Sequence, residues 1–463
     1  MGLVAYISTL FLVIALALHY YLPPSDRGFG LRLIFCLLPI QIATLYFLNS
    51  SVPFVPSETD TFLYYRFSQR EFDSLADYID VVNTSIYVHG QFGGVTYTHI
   101  LTIIHQCVGD SLFLRKVLAL TALWPLGFAW YAISRLVAGP SFARAVLVVT
   151  VALPTLWYPF CVLYRDLLTA ALHSVFLASV LLFYQAGRAQ VRHASVLIVA
   201  ALLLFILRPI TIYINGAVIV VAILAGKAAL APSRRTSTFV LLLAAAALAL
   251  GLAFSVIRDE GLAEALRIDD KLTPQAAGKQ ATAFSTNLDA QAGPVSWAVR
   301  LAAAAVLFIV SEPTIMSRDL DTGNPEHLRG MMNGPWFLLG PPFAALAILT
   351  VVRRLLLRQS ARHISLTANL AHWRAPGGRW GTAEAVTPGP GPEQRFGLLV
   401  VVAYSLIWFA VCAVALDWTR WRLPGVPALV MLAVWQYRRL SRQYCTAMAF
   451  GWGLAIVGWR LLR

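Results

Sequence analysis

The chain has 463 residues, of which 59% are hydrophobic and only 13% carry a charge. Soluble domains carry about 25% charged residues, and a water-soluble fold could not bury this much apolar surface, so the composition excludes a soluble globular protein. The formal net charge is +14, but the basic residues form short clusters between apolar runs, as in the cytoplasmic loops of membrane proteins. The expected partner is therefore a lipid bilayer, and nucleic acid is excluded.

Long apolar runs recur along the chain, and each approaches the length of about 20 residues that crosses a bilayer core. Helices satisfy every backbone polar group inside lipid. The runs therefore predict an all-α fold, a polytopic transmembrane helical bundle with about eleven to thirteen membrane segments. The first run has no basic n-region and no clear small-residue cleavage site, so we expect a retained helix rather than a signal peptide. The predicted spans are 3–22, 31–49, 117–135, 143–160, 166–186, 194–208, 211–227, 237–256, 335–353, 396–416, 423–437 and 443–461.

The basic clusters set the predicted orientation of a single integral membrane domain, residues 1–463. We expect the Gly- and Pro-rich basic region 354–395 in the cytoplasm, together with the shorter basic loops. Residues 50–116 and 257–334 then face the extracytoplasmic side. The apolar segment 297–311 is short for a span and is interpreted as re-entrant or interfacial. The shorter basic loops contain Arg135 and Arg144, Arg188 and Arg192, Arg234 and Arg235, and Arg438 and Arg442.

An acidic pair, Glu58 and Asp60, directly follows the second predicted span. Side chains two residues apart point the same way on an extended segment. Such a pair can hold a divalent metal such as Mg²⁺ or Mn²⁺ through oxygen ligands, or place one carboxylate as a general base. The alternative is a solvated loop that is acidic without a function.

A short amphipathic helix is predicted at residues 97–108. Ile100, Ile103 and Ile104 fall on one helical face. The stretch is too short to cross a bilayer, so we expect it to lie in the membrane interface without spanning.

The order of these features resembles a known family. An acidic pair after an early span, Tyr64-Tyr65, a Gly-rich turn, an amphipathic helix, Gly109-Asp110-Ser111 and a basic residue opening the next span are similar to the first extracytoplasmic loop of C-type glycosyltransferases. These multi-spanning enzymes use sugars carried on polyprenyl phosphate. The resemblance covers about residues 55–135 and implies that Glu58 and Asp60 match the acidic motif of the family.

Two further motifs place arginines at the ends of predicted spans. Pro154 and Trp157 end one predicted span and Arg165-Asp166 opens the next, a pattern that resembles bacterial polysaccharide-assembly proteins, including O-antigen and exopolysaccharide polymerases. Arg165 can grip a phosphate bidentately, with Asp166 orienting it, or the two can act as interfacial anchor and helix cap. Arg208 lies between two apolar runs and needs a partner. A phosphate head group and Asp166 are the two candidates.

Arg420 lies between tryptophans in a predicted outer turn. It can bind phosphate while its neighbours stack on sugar rings, or belong to an aromatic belt with interfacial anchors. Arg66, close to the acidic pair in the sequence, completes the arginines that we assign to the lipid phosphate.

The sequence thus predicts a membrane glycosyltransferase of the bacterial cytoplasmic membrane, with a polyprenyl-phosphate-linked sugar donor and a glycan or lipid-linked acceptor. Asp60 is the candidate base, and Glu58 assists it or helps to hold a metal. Arg165 and Arg208, with Asp60, are expected to converge on one cavity at the outer face. A polysaccharide polymerase and a transporter or flippase of a lipid-linked glycan are the alternatives.

Overall fold

The computed structural model describes residues 2–51, 64–65, 68–69, 92–157, 159, 165–185, 190–208, 211–229, 332, 335–336, 340–356, 392–415 and 423–461. Within these ranges the regular structure is entirely helical, so the predicted all-α class is confirmed there. The α-helices, numbered here in chain order, are α1 Gly2–Tyr21, α2 Pro24–Ser51, α3 Phe92–Val108, α4 Leu112–Ala138, α5 Pro140–Ala152, α6 Asp166–Gln185, α7 Gln190–Leu207, α8 Thr211–Ala229, α9 Pro341–Leu356, α10 Pro392–Ala415, α11 Val426–Tyr437 and α12 Arg442–Leu461.

Four of these helices, α1, α2, α4 and α6, are long and apolar enough to cross a membrane. Shorter apolar stretches lie in α5, α7, α8, α9 and α11. The predicted span 237–256 and the apolar segment 297–311 lie outside the described residues.

Prolines move two of the predicted boundaries. The predicted span 143–160 is interrupted, because α5 ends at Ala152 and a short 3-10 turn, Pro154–Leu156, follows it. Proline has no backbone N–H and disfavours the helical conformation of the residue before it. The predicted span 335–353 begins later, at Pro341, since proline is well tolerated in the first turn of a helix.

Helix α4 is central and largely buried, whereas most of α1 and α2 is exposed. It packs against α1, α2, α5, α6, α10 and α11. A Cβ atom added at Gly127 of α4 would lie 2.5 Å from a methyl group of Val151 in α5, so this close packing needs glycine. Trp130 of α4 donates a hydrogen bond to the Ser174 hydroxyl of α6 over 2.9 Å.

The turns on either side of α4 have clear sequence causes. Ser111 caps the helix, since its hydroxyl accepts a hydrogen bond from the Leu114 N–H at 3.3 Å. At the other end Gly139 has a φ of 82°, a region open to glycine and unfavourable for most other residues. Pro140 then starts α5 directly, which produces a tight helical hairpin.

One end of the bundle, here called the upper end, gathers the start of α1, the start of α4 and the end of α7. The Tyr6 hydroxyl donates to the Leu114 carbonyl over 2.9 Å. Tyr6, Leu112 and Leu207 belong to one buried apolar cluster, against which Leu168 of α6 packs.

The opposite, lower end gathers the other ends of the same helices. Asp26 of α2 accepts hydrogen bonds from the Tyr131 hydroxyl of α4 and from Arg144 of α5. Tyr20 of α1 and His193 of α7 share a hydrogen bond of 2.6 Å. Helices α1, α4 and α7 therefore connect the two ends.

Candidate functional site

A buried ion pair lies at the upper end, between the start of α6 and the end of α7. The Arg208 Nη1 atom is 2.8 Å from the Asp166 Oδ1 atom, and the two side chains are 11% and 4% exposed. The backbone carbonyl of Arg208 also accepts a hydrogen bond of 2.7 Å from the Thr211 hydroxyl. Of the two partners that the sequence left open for Arg208, the structure therefore gives Asp166.

Arg165 lies directly beside this pair. Its Nη1 atom donates a 3.4 Å hydrogen bond to the Leu207 carbonyl, and its side chain is only partly buried. Asp166 and Arg208 neutralise each other, so the group formed by Arg165, Asp166 and Arg208 has a formal charge of +1. The backbone N–H groups at the start of α6 add the positive end of a helix dipole. The arrangement favours an anion at Arg165.

Two tyrosines lie next to these charges. The ring of Tyr64 meets the ring of Tyr97 edge to face, with centroids 5.2 Å apart. Both phenols are close enough to the charged group for electrostatic interaction, Tyr97 with Asp166 and Tyr64 with Arg208. Tyr64 and Tyr97 of α3 therefore lie near the Asp166–Arg208 pair.

A second polar group at the same end surrounds Arg115, near the start of α4. Its guanidinium is fully buried and donates to the Ser68 hydroxyl at 2.7 Å and to His105 Nδ1 at 2.6 Å. A longer hydrogen bond of 3.4 Å reaches the Tyr65 carbonyl, and the guanidinium carbon lies 4.8 Å from the centre of the Tyr65 ring. Arg115 therefore ties Tyr65, Ser68 and α3 to α4.

The carboxylate of Asp110 completes this group, which we call the Arg115 cluster: Tyr65, Ser68, Gln69, His105, Asp110 and Arg115. Asp110 accepts hydrogen bonds from the Tyr65 hydroxyl at 2.8 Å, from Gln69 Nε2 at 3.0 Å and from Arg115 Nη2 at 3.2 Å. The Gln69 hydrogen bond, followed by that of Tyr65 and the charge of Arg115, holds the pKa of Asp110 below its ordinary value.

Three polar side chains are buried deeper in the bundle. His173 of α6, Asn215 of α8 and Trp408 of α10 are at most 1% exposed. The rings of His173 and Trp408 are 4.9 Å apart, and Asn215 and Arg208 lie near His173. Among the described residues, no hydrogen-bond partner satisfies either ring nitrogen of His173, the Asn215 amide or the Trp408 N–H.

The sequence-predicted site residues divide into two sets. Arg165, Asp166 and Arg208 are brought together, as their positions at span ends suggested. The remaining candidates, Glu58, Asp60, Arg66 and Arg420, lie outside the described residues. Within the part of the chain that the structure describes, no group of three or more His, Cys, Asp or Glu side chains forms a metal site, and the predicted metal pair lies outside that part.

Sequence reasoning did not select Arg115 or His173 as site residues. Arg115 was visible only as the basic residue that opens a span, where an interfacial anchor is the ordinary interpretation. His173 is a lone ionisable residue inside an apolar run, which is itself a signal of function in a membrane helix. No family model, curated protein or solved structure matches the chain.

Proposed function

We propose that the protein is a multi-pass glycosyltransferase of the bacterial cytoplasmic membrane. It transfers a sugar from a polyprenyl-phosphate-linked donor at the extracytoplasmic face, in the synthesis of a cell-envelope glycan. The observation that carries the proposal is the group formed by Arg165 and the Asp166–Arg208 pair, which has a net charge of +1 at a helix N-terminus.

The proposed orientation is supported by basic residues at the lower end. Arg144, Arg192 and Arg438 are near this end, through contacts with Asp26, Tyr20 and Ser141. An excess of arginine marks the cytoplasmic side of a membrane protein. The upper end, with the arginine group, then faces the extracytoplasmic side, where an exported lipid-linked sugar presents its phosphate.

Arg165 is the proposed phosphate ligand, and Arg208 supports it. A guanidinium has five N–H donors arranged to match phosphate oxygens, and among the described residues the Arg165 side chain donates one hydrogen bond, to the Leu207 carbonyl. Arg208 donates a hydrogen bond to Asp166 over 2.8 Å. Its contribution to phosphate binding is therefore mainly the electrostatic attraction of its positive charge. Both charges stabilise the phosphate as it leaves with the lipid, which is the electrostatic contribution expected of such a site.

A short stretch of chain separates the carboxylates assigned to the chemistry from Tyr64, which lies near Arg208. Asp60 precedes Tyr64 by four residues, and four residues of chain span at most about 14 Å. Asp60 is proposed to take the proton from the acceptor hydroxyl, with Glu58 assisting. Carboxylate oxygens suit a hard cation such as Mg²⁺, which Glu58 and Asp60 would hold. Arg66 and Arg420 are proposed as further phosphate contacts.

A polysaccharide polymerase is the second candidate, since it would use the same lipid-linked substrate class. It would depend on Arg165 and Arg208, which the structure brings together, and would need no metal. Loss of transfer in the presence of a chelator would favour the transferase with a metal at Glu58 and Asp60, whereas unchanged transfer together with an active Asp60→Asn variant would favour the polymerase.

A transporter or flippase is favoured by a different observation. His173, Asn215 and Trp408 are polar groups inside the bundle, and polar residues within the membrane often mark a transport pathway. Movement of a fluorescent lipid-linked glycan across proteoliposomes, without transfer of its sugar, would support this candidate over the enzyme.

The decisive experiment uses purified protein in proteoliposomes with a panel of polyprenyl-phosphate-linked sugars. Arg165→Gln should raise the KM for the active donor about 10- to 100-fold, because a hydrogen bond to a charged group contributes about 1.5–3 kcal/mol. The matched control is Arg442→Gln, an exposed arginine at the start of α12, which should keep the wild-type KM. No transfer from any donor, or equal effects of the two substitutions, would contradict the proposal.

A further inference from the structure

Three polar side chains, from α6, α8 and α10, meet inside the bundle on the lower side of the arginine group. We infer that these side chains, His173, Asn215 and Trp408, bind the hydroxyl groups of the sugar whose phosphate is held at Arg165. We call the three the polar layer. The inference rests on the proposed function and adds to it the part of the site that recognises the sugar.

The helices place the polar layer next to the arginine group. His173 is seven residues after Asp166 in α6, so the two lie on the same helical face, about 10 Å apart along the axis. Helix α8, which carries Asn215, packs against both α6 and α10. The rings of His173 and Trp408 meet edge to face with centroids 4.9 Å apart. Arg208 is close enough to His173 for electrostatic interaction, so the polar layer continues inward from the phosphate-binding end.

Burial without hydrogen bonds is the first reason to assign a ligand to the polar layer. Its three side chains are at most 1% exposed. Within the described ranges, no hydrogen bond of standard geometry reaches the ring nitrogens of His173, the Asn215 amide or the Trp408 N–H. A buried polar group without a partner is costly, and nearly all such groups in folded proteins are hydrogen-bonded. Three of them in one layer indicate a polar ligand.

The kinds of polar atom select the chemical class of this ligand. Trp408 offers only a donor, whereas the Asn215 amide and a neutral His173 ring each offer a donor and an acceptor. A metal ion takes acceptors alone and is repelled by the nearby Arg208. An anion takes donors alone. A hydroxyl group both donates and accepts, so the set fits a neutral, hydroxylated group such as a sugar.

The polar layer is confined to one depth. The next two turns of α6 and of α8 carry buried apolar side chains on the faces that follow His173 and Asn215, namely Phe176, Leu177, Val180 and Leu181 in α6 and Val218, Ile219 and Ala222 in α8. A transport pathway places polar residues along the route of its substrate, whereas a binding site needs them at one level only. These two helices therefore favour a sugar site over a passage through the bundle.

The arrangement separates recognition of the phosphate from recognition of the sugar. Arg165 lies about two turns from His173 along α6, so substitutions in the polar layer should leave the phosphate contact intact. Removing one hydrogen bond to a neutral hydroxyl weakens binding about 3- to 10-fold. The loss should appear only with lipids that carry a sugar.

The test compares the Kd of polyprenyl phosphate with those of its glucosyl, mannosyl, galactosyl and arabinosyl derivatives, measured on purified protein in nanodiscs. At least one sugar-bearing lipid should bind wild type more tightly than the sugar-free lipid. His173→Phe, Asn215→Leu and Trp408→Phe should each weaken binding of that lipid about 3- to 10-fold. The Kd of the sugar-free lipid should stay within about twofold of wild type.

Two control variants separate this effect from other causes. Gln41 is also a fully buried amide whose Oε1 atom has no partner among the described residues, but it joins α2 to the Val151 carbonyl of α5. Gln41→Leu should therefore change neither Kd. Arg165→Gln should weaken binding of both lipids by the same factor, because it removes a phosphate contact.

A further measurement on the wild-type protein does not depend on the folding of any variant. Derivatives of the tightest-binding lipid that lack single hydroxyl groups should include at least one that binds about 3- to 10-fold more weakly. Equal Kd values for all sugar-bearing and sugar-free lipids in wild type, or equal losses for both in the polar-layer variants, would overturn the inference and leave phosphate binding at Arg165 in place. Wild-type protein that binds no polyprenyl phosphate would instead reject the proposed function, and the sugar site with it.

Discussion

The buried Asp166–Arg208 pair makes a quantitative prediction through a double-mutant cycle. Asp166→Leu and Arg208→Met each remove one charge and leave the other in a site where the side chains are only 4% and 11% exposed. Breaking a buried pair in this way costs about 3–5 kcal/mol, because the remaining charge is desolvated without compensation. Each single variant should therefore lose stability on that scale.

The double variant should behave very differently. With both charges gone, no buried ion remains, and replacement of a buried pair by apolar side chains of similar size is often neutral or stabilising. The loss of Asp166 from the first turn of α6 also removes a favourable interaction with the helix dipole, of about 0.3–1 kcal/mol. We expect the double variant within about 1 kcal/mol of wild type, far from the sum of the single losses.

The assay is reversible unfolding in mixed detergent micelles, followed by circular dichroism, with the donor affinity measured on the same samples. The double variant keeps the formal charge of Arg165, so the site still carries +1 and should still bind a polyprenyl phosphate. Arg165→Gln, with the pair intact, leaves the group without net charge and should weaken this binding about 10- to 100-fold. Additive stability losses would refute the coupling. Loss of binding in the double variant would identify Arg208 as the phosphate ligand.

Four further predictions can be tested independently. Asp60→Asn should keep the protein folded and lower transfer about 10²–10⁴-fold, the usual contribution of a general base; activity near wild type at matched protein levels would remove Asp60 from the mechanism. The hydrogen bonds to Asp110 lower its pKa, so the Asp110 carboxylate stabilises the fold above about pH 4, and this contribution is lost as the pH falls through the lowered pKa. The unfolding free energy of Asp110→Asn should therefore not show this loss at acid pH. A pH profile of Asp110→Asn identical to that of the wild type would contradict the prediction. His173→Phe should leave the unfolding free energy unchanged or higher, since it removes two buried ring nitrogens for which the described part of the chain supplies no hydrogen bond of standard geometry; a loss above about 1 kcal/mol would show that the nitrogens are satisfied. Cysteines introduced at Ser74 and Thr367 in a cysteine-free background should react with a membrane-impermeant maleimide from opposite sides, and labelling from one side would reject the orientation.

The helices could be predicted from the sequence because apolar length determines them nearly alone. The span predicted at 166–186 corresponds to α6, and that predicted at 211–227 corresponds to α8. Local chemistry explains where the boundaries differ. Pro154 ends one helical segment before its apolar run is complete, and Ser111 starts α4 earlier than hydropathy alone suggested. Hydropathy averages over many residues, so it does not register single caps and breaks.

The candidate site was predictable only in part. The cost of leaving Arg208 alone near lipid required a partner, and Asp166 was one of the two considered. The choice between Asp166 and a ligand depends on how α6 and α7 align, which periodicity does not determine. The role of Arg115 was less accessible still, because its hydrogen bonds reach Tyr65 and Ser68, about fifty positions away along the chain. Contacts over that separation leave no periodic signal in the sequence.

The hairpin formed by α4 and α5 has a consequence for the way in which the chain enters the membrane during synthesis. Helix α5 has 13 residues, which at about 1.5 Å per residue is too short to cross a hydrocarbon core of about 30 Å. Its partner α4 is long enough to cross but carries Arg115 and Lys116, which the folded bundle buries and which are costly to expose to lipid. The tight turn at Gly139 and the close contact at Gly127 let them leave as a preformed pair. We therefore expect insertion of this region to proceed two helices at a time, and to fail when Gly127 carries a bulky side chain, even in a chain whose hydropathy is unchanged.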